Sequence, residues 1–286
     1  MNQFISNMQD KAKQRIKKTY RQTATTYDSG VSERLGASRW GIESLTGLLL
    51  RDMRFNDSPV VLDLACGTGL STFKLIEYLE GVGDFHGVDF SPEMIKQAEL
   101  NAETLGYSID FRVGDADNIP YPDEYFDAVI SNMSFQMFPD KPKSLEEAYR
   151  VLRPGGSIGL LYGAAIHLQE LVSLCLEYAG DRPSLTDFTK AVNDVSWMHI
   201  DLEETQRLFW DAGFRRPLIY GYHRVMHVNP KQFWYTNPYP ALWRTHIPAE
   251  EREQVDQEII ALMESKAGRG FKVNWYTIQA YGTKPK

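Results

Sequence analysis

The chain has 286 residues, 43% of them hydrophobic and 24% charged, ample for a sizeable core and ordinary for a soluble protein. A formal net charge of −7 argues against a nucleic-acid backbone as the main partner. The two cysteines, Cys66 and Cys175, make no disulfide framework, no apolar run approaches a membrane span, and the first residues lack the apolar stretch of a signal peptide, so a soluble, cytoplasmic protein is expected.

In chain order, Met1 to about Arg21 sets Phe4, Met8, Ala12, Ile16 and Tyr20 at i, i+4 spacing, with lysines and arginines, Lys13 among them, in between. This predicts an amphipathic helix with a solvated basic face. Tyr20 to Gly30 reads YRQTATTYDSG, and Trp40 to about Arg51 has an apolar helical face ending in the turn cluster Asn56 to Pro59. Val60 to Thr72, VVLDLACGTGLST, is the stretch around which the chain is organised. Val60, Val61, Leu62 and Leu64 read as a strand buried on both faces. Ala65 to Gly69 is a loop of small residues, and Leu70, Phe73, Ile76 and Leu79 follow at helical spacing. A strand, a glycine loop and a helix start make a cradle for a small ligand. Thr72 and Phe73 stand where a dinucleotide fingerprint wants its third glycine. Asp63, inside the strand, repels a pyrophosphate but suits a ligand with an amine and a positive sulfur, which favours S-adenosylmethionine over NAD.

Phe85 to Phe90 is a second strand with Asp89 near its end, placed to accept both hydroxyls of a ribose. Ser91-Pro92-Glu93 is a helix start, and Met94, Ile95, Ala98, Ala102 and Leu105 form that helix's expected buried face. Ile109 to Val113 is a third strand, followed by Gly114-Asp115-Ala116-Asp117, with Asp117 read as a helix cap. Phe126 to Ser131 is the fourth strand, leading into Asn132-Met133-Ser134-Phe135-Gln136 at the sheet's C-terminal edge. Ser144 to Leu152 is a helix, Arg153 to Gly156 a turn, and Ser157 to Tyr162 a fifth strand. Helices are expected over Ala164 to Ala179, Leu185 to Val195 and Asp201 to Gly213, and two last strands, antiparallel partners at one edge, over Leu218 to Val228 and Phe271 to Gly282. The stretch between those strands, about 229–270, is too long for a hairpin loop and must carry its own structure, including a charged helix over Ala249 to Glu264.

Four separated segments, VVLDLACGTGLST, HGVDFSPEM, FRVGDADNIPYPDEYFDAVIS and VLRPGGSIGL, resemble in order and spacing the class I S-adenosylmethionine-dependent methyltransferases, in the group that includes the ubiquinone and menaquinone C-methylases. The resemblance runs from about Tyr20 to Leu161. It implies an α/β fold, a Rossmann-like seven-stranded, mostly parallel sheet flanked by helices, with an antiparallel edge strand and a helical lid. The implied organisation is an N-terminal helical cap over 1–55, a cofactor-binding core over 56–163, a lid over 164–200, and the rest of the core over 201–286 with an aromatic-rich insertion at about 229–270. The implied cofactor is S-adenosyl-L-methionine, bound by Asp63, Ala65, Gly67, Gly69, Asp89, Phe90 and Asn132, with Asp115 reading the adenine amino group, Ala116 making a backbone contact and Tyr27 closing on the methionine part. Asn132-Met133-Ser134-Phe135 lacks the two prolines of the N/D-P-P-Y/F signature carried by methyltransferases of nucleobases and glutamine, so a small-molecule acceptor is expected.

Methyl transfer from a sulfonium is an in-line displacement, and a base is needed only for an acceptor that is protonated at working pH. His167, shortly after the fifth strand, is the best-placed candidate, with His199 and His246 in the lid segments behind it. His223 and His227 do not make a metal pair, because four residues of strand span about 13 Å; no metal is expected. Phe233, Trp234, Tyr235, Tyr239 and Trp243 crowd together around Asn237, Pro238 and Pro240. The prolines predict an irregular segment that either presents rings, Tyr235, Tyr239 and Trp243 above all, to a small apolar or aromatic acceptor, or forms a mini-core under the next helix. Two other functions stand beside methyl transfer: a protein that keeps the cofactor but guides another reaction such as a cyclisation, and a NAD-dependent dehydrogenase, which Asp63 and Thr72 speak against.

Overall fold

The computed structural model describes residues 13–14, 42–164, 168–193 and 200–286. Tyr27, His167, His199 and all of the expected basic helix except Lys13 and Gln14 lie outside the described residues.

Seven strands form one sheet: β1 (Val60–Leu64), β2 (Asp84–Asp89), β3 (Asp110–Val113), β4 (Phe126–Asn132), β5 (Leu152–Gly163), β6 (Arg215–Val228) and β7 (Phe271–Thr283), in the order β3-β2-β1-β4-β5-β7-β6. β1 lies between β2 and β4, parallel to both, and Val61, Leu62 and Leu64 are buried, as an unbroken apolar run requires when both faces are covered. The strand order turns outward in both directions from β1 and β4, which leaves a crevice at their C-terminal ends. β7 is antiparallel to both β5 and β6 and enters between them, so β6 closes that edge. β5 begins earlier than its apolar residues suggest. The Gly155 N–H donates to the Lys284 carbonyl (2.9 Å) and the Lys284 N–H to that of Gly156 (2.8 Å), so the chain's far end draws the turn glycines into the sheet.

Helices α1 (Ile42–Leu50) and α2 (Leu70–Tyr78) cover one face, where Leu49, Leu75 and Ile76 meet Val61, Ile130 and Leu161. α3 (Pro92–Leu105) starts as its sequence predicts: the Ser91 hydroxyl accepts from the Met94 N–H and proline sits in the first turn. Its buried face stops at Ala102. Leu105, expected inside, is exposed because the helix ends there on a left-handed Gly106. α4 (Lys141–Val151) begins ahead of the expected Ser144, since the Asp140 carboxylate accepts from the Lys143 N–H and caps it.

Above the sheet, α5 (Gln169–Ala179) and α6 (Thr186–Asn193) precede α7 (Leu202–Asp211), which packs beside β6. The stretch between β6 and β7 forms α8 (Pro230–Thr236), α9 (Pro238–Arg244) and α10 (Arg252–Ser265). The aromatic run is therefore two short helices and not the irregular segment its prolines suggest. Pro230 and Pro238 each open a helix, where a missing N–H removes no helical bond, and Pro240 still falls within the first turn. Asn229 and Asn237 cap the two, accepting from the N–H groups of Gln232 and Tyr239. α5, α6, α8, α9 and α10 share one apolar core built on Trp234, Trp243, Phe188 and Ile259, so the two insertions are a single cap. A buried carboxylate fastens it: Asp256 accepts from Arg244 Nε (2.7 Å) and Nη2 (2.5 Å) and from Trp234 Nε1 (2.8 Å). No helix among the described residues is long and apolar enough to cross a membrane.

Candidate functional site

The crevice at the C-terminal ends of β1, β2 and β4 opens into a partly enclosed cavity. Ala65, Gly67, Asp89, Phe90, Asp115, Ala116 and Asn132, all expected at the cofactor, line it together. Asp63 and Gly69 stand behind that wall. Gly69 is the left-handed residue before α2 (φ 90°), and a Cβ there would meet the Phe73 ring at 2.6 Å, so it serves the loop's packing. Gly67 also has positive φ (55°), but a Cβ on it would meet nothing within 4 Å; the space beside it belongs to the cavity.

Two buried acids belong to this end of the site, Asp89 in the wall and Asp63 behind it. Asp89 joins the loops: its Oδ2 accepts from the Gly67 N–H (3.0 Å) and its Oδ1 from the Ser91 N–H (2.9 Å). Burial pushes its carboxyl up to about 6, against the pull of those N–H groups. Asp63 is 1% exposed; its Oδ2 accepts from the Thr72 hydroxyl (2.6 Å), while Oδ1 has no partner. Burial, with the charge of Asp89 adding to it, pushes Asp63 up to about 7. Asn132 repeats the pattern on the opposite lip. Its amide nitrogen donates to Ser71 Oγ (3.0 Å) and Thr46 Oγ1 (3.2 Å), and its Oδ1 is buried without a partner. An orphaned acceptor in a wall that also holds the buried Asp89 carboxylate suits a ligand bearing N–H donors. Ala65 and Met133, one on each lip, hold positive φ (60° and 56°), a strain of about 1–3 kcal/mol each of the kind that collects at binding sites.

A carboxylate whose folded pKa lies above its unfolded value near 4 holds its proton longer in the folded state, so the protein loses stability as pH rises through that interval. Asp63→Asn removes one such group. The variant's melting temperature relative to wild type is expected to rise from about pH 4 to about pH 7 and to level off above that; a difference independent of pH contradicts the assignment.

At the far end of the cavity, Asp115 Oδ1 accepts from the Asp117 N–H (3.1 Å) and its Oδ2 meets Lys13 Nζ at 2.8 Å. Lys13 also meets Asp117 Oδ2 at 2.5 Å, so this lysine of the basic stretch reaches the cavity wall. Asp117 caps no helix; its Oδ1 takes the Ser144 hydroxyl (2.6 Å) and ties this loop to α4. Met133, Ser134, Met137 and Phe138 also line the wall and are not among the residues the sequence assigns to the site. Their only signal is their place after Asn132 at the strand's end. Of the aromatic candidates, Trp243 is wholly buried and Tyr239 is 4% exposed in the cap core, while Tyr235 is 41% exposed beneath the Arg244 guanidinium (4.7 Å); none of the three lines the cavity. His223 stacks on Tyr276 (4.1 Å) and meets Asn274 Oδ1 (2.7 Å). Among the described residues no cluster of three or more His, Cys, Asp or Glu stands where it could hold a metal ion.

A family profile described as "Methyltransferase domain" matches residues 55–213, more than half of the chain and every strand that borders the cavity. The demethylmenaquinone methyltransferase of Thermus thermophilus is 43% identical over 111 residues, 38% of this chain and 50% of that protein. The chain spans about half the length of the curated relatives it matches. Among solved structures, Haemonchus contortus phosphoethanolamine N-methyltransferase 2, in complex with S-adenosyl-L-methionine, aligns with a TM-score of 0.58 at 17% identity, covering 93% of this chain and 57% of that one. The [4+2]-cyclase SpnF aligns with a TM-score of 0.53 at 21% identity, covering 87% and 84%. With that profile matching more than half of its length, the chain belongs to the methyltransferase-domain family, and its seven-stranded, mostly parallel sheet has the class I fold.

Proposed function

We propose that the chain transfers the methyl group of S-adenosylmethionine to a small, largely apolar or aromatic molecule in the cytoplasm. The observation that carries this reading is the cavity wall itself, where the Asp89 carboxylate and the orphaned Asn132 Oδ1 stand with a glycine that leaves the cavity open, and the orphaned Asp63 Oδ1 lies behind them. S-adenosylmethionine supplies an electrophilic methyl on a positive sulfur. Asp63 and Asn132 accept from its ammonium, Asp89 from its ribose hydroxyls, and Asp115 with the Ala116 backbone holds its adenine. Phe90 and Met137 belong both to the cavity wall and to the cap's apolar cluster, so the cap stands over the bound ligand and keeps water from it. The Thermus relative is named for a quinone acceptor, which suits the apolar character of this cap. Rate comes chiefly from alignment of acceptor, methyl carbon and sulfur.

Incubation with methyl-labelled S-adenosylmethionine and a metabolite extract of the host is expected to yield one labelled apolar or aromatic product. Tight cofactor binding with no label transferred would instead favour a protein that retains the cofactor while guiding another reaction, as the name of SpnF describes for that protein.

A further inference from the structure

Among the described residues, Lys13 is the only cation in a cavity wall that also holds the acids Asp89, Asp115 and Asp117. Burial pulls the Lys13 pKa down, but its hydrogen bonds and charge pairs with Asp115 and Asp117 outweigh that and hold it above the usual value. At neutral pH the group is a full ammonium with three N–H donors. Two of them serve Asp115 Oδ2 (2.8 Å) and Asp117 Oδ2 (2.5 Å), which leaves the third for a ligand in the cavity. The two acids are placed differently. The Asp117 side chain is 15% exposed, and its oxygens are taken by Lys13 and by the Ser144 hydroxyl, so it anchors the ammonium to α4. The Asp115 side chain is 41% exposed, and its Oδ2 keeps a lone pair for a second donor. An acceptor and a donor 2.8 Å apart in one wall repeat the pattern of an asparagine or glutamine amide. That pattern pairs with the amino group and N7 of adenine, which stand side by side on one edge of the base.

We infer that Lys13 is a cofactor-binding residue, donating to N7 of the adenine while Asp115 accepts from the amino group beside it. This rests on the proposed cofactor and adds a contact from outside the four segments that resemble the methyltransferases, 102 residues before Asp115 in the chain. The Ala116 backbone, adjacent to Asp115 and also in the wall, is left for N1 on the other side of the amino group. A site that donates to a ring nitrogen rejects an analogue with a C–H in its place, because the donor is then left unpaired.

The test measures equilibrium binding of S-adenosylhomocysteine and of its 7-deaza analogue, in which a C–H replaces N7 of the base, to the full chain. The two ligands have nearly the same shape. Wild type is expected to favour S-adenosylhomocysteine by about tenfold. Lys13→Met should narrow that preference to within about twofold, chiefly by weakening S-adenosylhomocysteine. A lysine that merely offset the two carboxylates would weaken both ligands alike in Lys13→Met and leave the preference unchanged, which overturns the inference. Equal binding of the two ligands by wild type overturns it without recourse to any variant, and leaves the proposed cofactor standing. Failure of S-adenosylhomocysteine to bind wild type overturns the proposed function, and this inference with it.

Discussion

Asp256→Ala is expected to cost about 3 kcal/mol of stability and to loosen the cap before the sheet. The Asp256 side chain is 4% exposed and accepts from both the Arg244 fork and the Trp234 indole N–H. Its removal strands a guanidinium that is only 22% exposed and an indole donor with none of its surface exposed. Stranding one half of a buried ion pair costs more than the pair contributes, because the desolvation of the remaining charge is no longer offset. α8, α9 and α10 all meet at this carboxylate, so its loss spreads through the core they share with α5 and α6. Urea unfolding checks the magnitude, and hydrogen exchange along α8 to α10 checks the place. A loss below about 1 kcal/mol would mean that apolar packing alone holds the cap.

Most of the cavity wall is legible in the sequence because each part is a local event. An apolar run makes β1, a glycine loop follows, an acid ends β2, and Ser91-Pro92 starts α3; none of these needs a distant partner to be recognised. What is not legible depends on residues far apart in the chain. β5 is lengthened by Lys284, Asp115 and Asp117 are bridged by Lys13, and Gln136 hydrogen-bonds Tyr239 of the cap. The aromatic stretch misleads for another reason. A proline breaks a helix from within but starts one from its first turn, and only the caps at Asn229 and Asn237 tell the two cases apart. Trp243 then follows its helix into the core, where composition alone could equally place it over a ligand.

Gly67 separates the fold from its function. At φ 55° any side chain costs about 1–2 kcal/mol of backbone strain, and a valine there projects into the cavity, since nothing of the protein lies within 4 Å of its Cβ. Its N–H, bonded to Asp89 Oδ2, also holds the acid assigned to the ribose. Gly69→Ala would instead drive a methyl group into Phe73 and damage the fold itself. The most direct measurement is therefore a calorimetric titration of S-adenosylmethionine into wild type and Gly67→Val side by side. Wild type should bind one equivalent per chain, and the variant, folded and losing only about 1–2 kcal/mol, should bind at least about 100-fold more weakly. A Gly67→Val protein that binds S-adenosylmethionine as tightly as wild type would show that the glycine loop only shapes the fold, and that the cofactor site lies elsewhere.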